Sequence, residues 1–85
     1  MVHTIVYTEK AIKCLESLNR KEAQHIHKKI ESIKENPLHY INKLVGINLW
    51  KLRIGDYRAV IRFDKVRQEI AVIDIGHGKS IYKKL

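Results

Sequence analysis

One cysteine, one proline, four glycines and nine acidic residues are all that this chain of 85 residues holds of each. A lone Cys14 rules out an internal disulfide and a zinc site built on cysteines. It stands among apolar residues at helical spacing, where a thiol behaves as a small hydrophobe, so it reads as a core or boundary residue and not as a nucleophile. No glycine-rich phosphate loop precedes a helix, no paired carboxylates offer an acid and a base, and no Ser, His and Asp stand in a supported spacing. His25 and His27 are two apart on a helix and do not share a face, while His3 and His39 carry no pattern. No metal site and no cofactor are therefore expected. Apolar runs are only a few residues long, which leaves no signal peptide or membrane span in view, and the chain reads as cytoplasmic.

What the chain has in excess is positive charge. Seventeen Lys and Arg give a formal net charge of +8 and a pI near 9.8. The excess is uneven: residues 1–42 carry a balance of +2 and residues 43–85 a balance of +6. Such a balance points to a polyanion, either nucleic acid or an acidic protein segment, with a merely soluble basic surface as the plain alternative. Apolar residues make up 45% of the chain, enough for one core of helix on sheet, so a single small domain over residues 1–85 is expected.

The basic half contains the most readable stretch. Residues 49–63 run Leu-Trp-Lys-Leu-Arg-Ile-Gly-Asp-Tyr-Arg-Ala-Val-Ile-Arg-Phe. Two alternating runs flank Gly55-Asp56, and a short loop opening with Gly signals a hairpin. That loop sets Ile54 opposite Tyr57, Arg53 opposite Arg58, Lys51 opposite Val60 and Trp50 opposite Ile61. Opposed residues share a face. One face is then apolar or aromatic: Trp50, Leu52, Ile54, Tyr57, Ala59, Ile61 and Phe63. The other carries Lys51, Arg53, Arg58 and Arg62 around Val60, with no acid. Like charges directly opposed cost stability, and a chain that keeps such a pair usually has an anion to set between them.

Elsewhere the elements follow from period and caps. His3 to Tyr7 reads as a first strand. Thr8 caps a helix with the apolar stripe Ala11, Ile12, Leu15 and Leu18. Asn19 with Glu22 three residues on starts a second helix, whose stripe is Ala23, Ile26, Ile30 and Ile33 and which Asn36-Pro37 stops. Together these helices form an antiparallel pair with almost no linker. Residues 38–48 are an unreadable connector, Asp64 to Gln68 is a turn, and Glu69 to Ile75 is a further strand whose weak alternation suits an inner strand or one covered on both faces. Gly76-His77-Gly78 breaks it, and residues 79–85 form a basic tail. The expected fold is α+β, in the order β-α-α-β-β-β. A helix hairpin packs on one face of a mainly antiparallel four-stranded sheet, whose other face is left basic and open.

The cluster of Lys51, Arg53, Arg58 and Arg62 is the first site candidate. Arg presents a planar fork that fits phosphate, and Lys can lose its proton when other cations crowd it, which would let Lys51 act as a base. A solvated sheet face, partly neutralised by Asp74 from the last strand, is the competing reading. His77 between two glycines can give or take a proton near neutral pH, or be a loop residue without a task. Tyr82 offers a ring for a base to stack on, or anchors the tail beside Ile81. If the protein is an enzyme, it acts on a phosphodiester with cationic groups.

Three features together resemble the RelE/ParE superfamily of toxins, with the RelE branch nearest. They are the element order, the stretch from Leu49 through Gly55-Asp56-Tyr57-Arg58, and the ending Gly76-His77-Gly78-Lys79-Ser80-Ile81-Tyr82. The resemblance covers nearly the whole chain. It implies a ribosome-dependent endoribonuclease that cuts mRNA by attack of the ribose 2′-hydroxyl on the adjacent phosphate. A RelB-like antitoxin would hold it silent in a hetero-oligomer. By the same resemblance Lys51 and Arg53 hold the phosphate, with Lys51 drawing off the 2′ proton, Arg58 steadies the phosphorane, and Tyr82 orients the base. Arg62, Lys79, Lys83 and Lys84 would contact RNA. Where the family commonly has Arg after Gly-His, this chain has Gly78, so His77 or Lys79 would protonate the leaving oxygen. A ParE-like toxin that inhibits DNA gyrase without cutting is the alternative from another class, although such chains usually lack these strand cations and the late Tyr. A folded but catalytically weak member is a third.

Overall fold

The computed structural model describes residues 3–78, 81 and 82. Strand β1 (Thr4–Tyr7) leads into helices α1 (Glu9–Glu16) and α2 (Arg20–Ser32). A 3-10 turn (Pro37–His39) then precedes β2 (Asn42–Lys43), β3 (Trp50–Ile54), β4 (Tyr57–Asp64) and β5 (Glu69–His77). The five strands lie in the order β1-β5-β4-β3-β2, with β1 parallel to β5 and every other pair antiparallel. The architecture is α+β as expected, but the sheet has five strands rather than four. The added strand, β2, is two residues long on the sheet edge and too short to show a period.

Both helix starts form as their caps dictate. The Thr8 hydroxyl accepts from the Ala11 amide (3.2 Å) and donates to the Ile73 carbonyl (2.7 Å), so the cap also ties α1 to β5. Asn19 accepts from the Glu22 amide (2.8 Å), and its own side-chain amide donates to the Glu22 carboxylate (2.9 Å). Two details differ from the expectation. Ile12 is exposed, and Cys14 instead joins Ala11, Leu15 and Leu18 against the core. Helix α2 ends at Ser32, whose hydroxyl bonds back to the Lys29 carbonyl (2.6 Å), well before Pro37. Pro37 opens the following 3-10 turn instead of closing the helix.

The core lies between the helices and one sheet face. Ile26, Ile30 and Ile33 of the α2 region are fully buried against Leu52, Ile54, Ile61, Ile70 and Val72. The hairpin has the register read from the sequence, from Trp50 opposite Ile61 to Ile54 opposite Tyr57, with Gly55 at φ +59° opening the loop. Between Val60 and Ile61 the register against β5 shifts by one residue, so that Val60 pairs with Asp74 and Ile61 with Val72. Asp74 is turned to α1: its carboxylate takes Lys10 (3.2 Å), the Cys14 thiol (3.5 Å) and the Ile75 amide (2.8 Å). It does not neutralise the cations of the other face.

That other face is not fully open. Val60 is completely buried, and Ile81 is 3% exposed although neither belongs to the main core. Ile81 packs on Gly76: a Cβ placed there would stand 3.0 Å from the Ile81 side chain. Ile81 therefore lies over the outer face, and a side chain at position 76 would have to displace it.

Tyr7 gives the fold a pH dependence. Burial, then the nearby Glu31 charge, push its phenol from 10.0 up to about 12, and its buried hydroxyl has no hydrogen-bond partner among the described residues. The folded state thus favours the protonated phenol. This contribution is complete below pH 10 and is lost as pH rises towards about 12. Absorbance titration should show one tyrosine ionising last, near pH 12, and Tyr7→Phe should remove that wave without lowering Tm. A late wave that survives the substitution would refute the assignment.

Candidate active site

Strand alternation alone brings three cations to one place. Lys51 and Arg53 on β3 and Arg58 on β4 project from the outer face, and with Asn42 and Tyr82 they line an open groove of about 530 Å³. Lys51 and Arg53 are exposed, while Arg58 and Tyr82 are half-buried. Among the described residues none of these cations has a carboxylate within ion-pair distance. The groove is thus a cationic cleft with its counter-charge missing, which is what a phosphodiester supplies.

Arg58 is the best fixed of the three. It stands directly opposite Arg53, and its guanidinium turns back to donate to the carbonyls of Gly55 and Tyr57, both at 2.8 Å. These bonds hold the fork at the loop end of the groove and offset part of the repulsion between the two arginines. Tyr82 forms a wall. Burial raises its phenol above the usual tyrosine value, and the positive charge of Arg58 opposes that rise. Its hydroxyl is buried without a partner among the described residues, so the ring is what the groove presents.

His77 stands elsewhere. It pairs with Tyr57, whose side chain belongs to the helix-facing side, and their rings meet edge to face at 5.2 Å. With Cys14, Ser17 and Leu18 it lines a separate depression against α1. The structure therefore does not bring His77 to the cations. Arg62 is exposed on the outer face opposite Ala71 but does not line the groove. Lys79, Lys83 and Lys84 lie outside the described residues.

Asn42 is the lining residue that sequence reasoning missed. It faces Lys51 across the β2–β3 pair, and only that two-residue strand puts it there. The other conspicuous contact of the hairpin is structural. The Tyr57 hydroxyl donates to the Glu22 carboxylate, which raises the phenol's pKa and ties the hairpin to the start of α2. Among the described residues no cluster of His, Cys, Asp and Glu could hold a metal ion, and no helix is long and apolar enough to cross a membrane.

The fold and family are shared with known proteins. Residues 5–82 match the family model described as the ParE toxin of type II toxin–antitoxin system, parDE. RelE4 of Methanocaldococcus jannaschii, a protein described as a toxin candidate, is 32% identical over 78 residues, covering 89% of this chain and 83% of that one. The Mycobacterium tuberculosis RelBE2 toxin–antitoxin complex contains a chain of the same fold: TM-score 0.84 at 19% identity, over 91% of this chain and 99% of that one. A free Escherichia coli RelE toxin, with two arginines replaced by alanine, matches with a TM-score of 0.78 at 27% identity. That match covers 98% of this chain and 93% of the toxin.

Proposed function

This chain belongs to the ParE toxin family of type II toxin–antitoxin systems, and from that premise we propose that it is a RelE-like endoribonuclease that cuts mRNA on the ribosome. One observation carries the reading: Lys51, Arg53, Arg58 and Tyr82 line a single groove from which, among the described residues, carboxylates are missing. A gyrase-directed toxin needs no such cleft.

The groove suits transfer of a phosphoryl group within RNA. The neutral amine of Lys51, the form that can act as a base, takes the proton of a 2′-hydroxyl, and the 2′ oxygen forms a bond to the adjacent phosphorus. Negative charge builds on the non-bridging oxygens, where Arg53 and Arg58 supply fixed positive charge. The bond to the 5′ oxygen then breaks, its electron pair leaving with that oxygen, which takes up a proton. The products are a 2′,3′-cyclic phosphate and a 5′-hydroxyl. With His77 on the helix side, that proton is supplied by Lys79 or by water. The ring of Tyr82 stacks on the base next to the scissile bond.

Two groups of relatives extend the reading to partners. The M. tuberculosis and E. coli proteins were solved with antitoxins, and the E. coli complex is intact RelBE at 26% identity. We assign this chain a RelB-like antitoxin that covers the groove, in a cytoplasmic hetero-oligomer. Its excess of positive charge favours encounter with the ribosome, a large polyanion.

The test is purified protein added to programmed ribosomes, with mRNA 5′ ends mapped. Cuts confined to ribosome-occupied codons are expected. Intact mRNA together with inhibited gyrase would overturn the proposal in favour of a ParE-like toxin. Stacking of one base is worth about 1–3 kcal/mol, so Tyr82→Ala should lower cleavage by roughly 5–150-fold. Tyr82→Phe should cleave like the wild type, because the hydroxyl it loses is buried. Equal losses in both variants would mean that the hydroxyl, not the ring, does the work.

A further inference from the structure

Helix α2 carries a second concentration of positive charge that the groove does not use. Lys21, His25, Lys28, Lys29 and Ser32 recur at helical spacing along one flank, and the last four line a shallow depression of about 320 Å³. Among the described residues no ion pair engages Lys21, Lys28 or Lys29. The acids of α2 are occupied elsewhere. Glu22 is bound to Asn19 and Tyr57, and Glu31 pairs with His27 and Lys34.

Two ring contacts say which way the flank points. His27, on the opposite flank, lies against Tyr7 of β1 (6.0 Å between ring centroids). Lys29 lies over the ring of Tyr40 (4.7 Å), just before β2. The β1 and β2 strands are the two edges of the sheet, so the basic flank is turned to the β2 edge. At that edge Lys43 sits over Trp50 (5.3 Å), and Asn42 pairs with Lys51 of the groove. Lys29, Lys43 and Lys51 thus stand in turn on α2, on the β2 edge and in the groove.

We infer that the Lys21–Lys28–Lys29 flank of α2 is a second RNA-backbone contact, continuous with the groove around the β2 edge. The inference rests on the proposed function only in taking RNA as the polyanion. A run of side-chain cations along a helix, its one adjoining acid Glu22 already bound to Asn19 and Tyr57, fits a repeating phosphate backbone and reads no bases. An RNA strand leaving the groove would pass over β2 and lie along this flank.

The experiment measures binding of a labelled single-stranded RNA to the full chain over a range of salt. Each phosphate neutralised on a single strand contributes about 0.7 to the slope of log K against log salt, so Lys21→Gln/Lys28→Gln/Lys29→Gln should lower the slope by about 2. Lys13→Gln/Lys65→Gln/Arg67→Gln removes the same charge away from the track and should change it by less than half as much. Glutamine keeps helix propensity close to that of lysine, and a melting curve checks that each variant folds. Equal slopes in all three proteins would overturn the inference, as would tighter binding of polyglutamate than of RNA to the same flank. Ribosomal cleavage is read separately. Its absence with the slopes separated as expected would remove the nuclease and leave the track. Cleavage with equal slopes would do the reverse.

Discussion

Arg58→Ala should lower kcat/KM for cleavage of ribosome-bound mRNA by about 10²–10³-fold, or roughly 3–4 kcal/mol of transition-state stabilisation. The size follows from how this side chain is held. Two carbonyls, of Gly55 and Tyr57, fix its guanidinium at 2.8 Å before any substrate arrives. Its fork therefore meets developing charge with little reorganisation, which is where a positive group is worth most. Arg58→Lys keeps the charge but not the fork, and a loss of about tenfold is expected there, since a lysine cannot hold two carbonyls and a phosphate in one plane. Arg58→Ala should not melt much below the wild type, because it also removes the repulsion with Arg53 across the hairpin. The check is single-turnover cleavage on programmed ribosomes beside a thermal melt. A rate close to that of the wild type for Arg58→Ala would leave the proposed chemistry without its main electrostatic term.

Ile30→Ala should cost about 2–5 kcal/mol of folding stability. Ile30 is fully buried where α2 meets the sheet and is part of the cluster with Leu52, Ile61, Ile70 and Val72. Truncation loses the transfer energy of the removed methyl groups and leaves a hole that neighbours on a hydrogen-bonded sheet cannot close. A domain of this length has roughly 4–13 kcal/mol in all. The variant should therefore lose a large share of its stability, and its Tm and urea midpoint should fall together. Urea denaturation gives the number directly, and a midpoint unchanged from the wild type would show the α2 interface to be looser than its burial implies. Exposed Ile12 on α1 is the matching control, and Ile12→Ala should cost far less.

These expectations were open to sequence reasoning to different degrees. The hairpin was fully legible, because Gly55 fixes the loop, the loop fixes the register, and a period of two residues assigns every side chain to a face. The caps at Thr8 and Asn19 were legible for a similar reason: each is a local hydrogen bond with a set spacing. Strand β2 was not, since two residues carry no period, and Asn42 was missed with it. The displacement of Asp74 towards α1 depends on a register shift within β5, which no pattern announces. The docking of Ile81 on Gly76 was missed too, although a glycine interrupting a strand is a known sign of close approach. His77 shows the opposite error. Its flanking glycines suggested a site, but alternation from Tyr57 places it on the helix side.

The parallel pairing of β1 with β5 sets Thr4 beside Glu69 and Tyr7 beside Val72. During vectorial synthesis the first strand thus emerges long before its partner exists. At about 5–20 residues per second the delay is roughly 3–13 s. For that time Ile5 and Tyr7 have no strand to lie against, and the sheet that carries the cations is unfinished. A nascent chain therefore cannot close its sheet until residues 69–72 are made, a delay set by strand order that no change within the groove would alter.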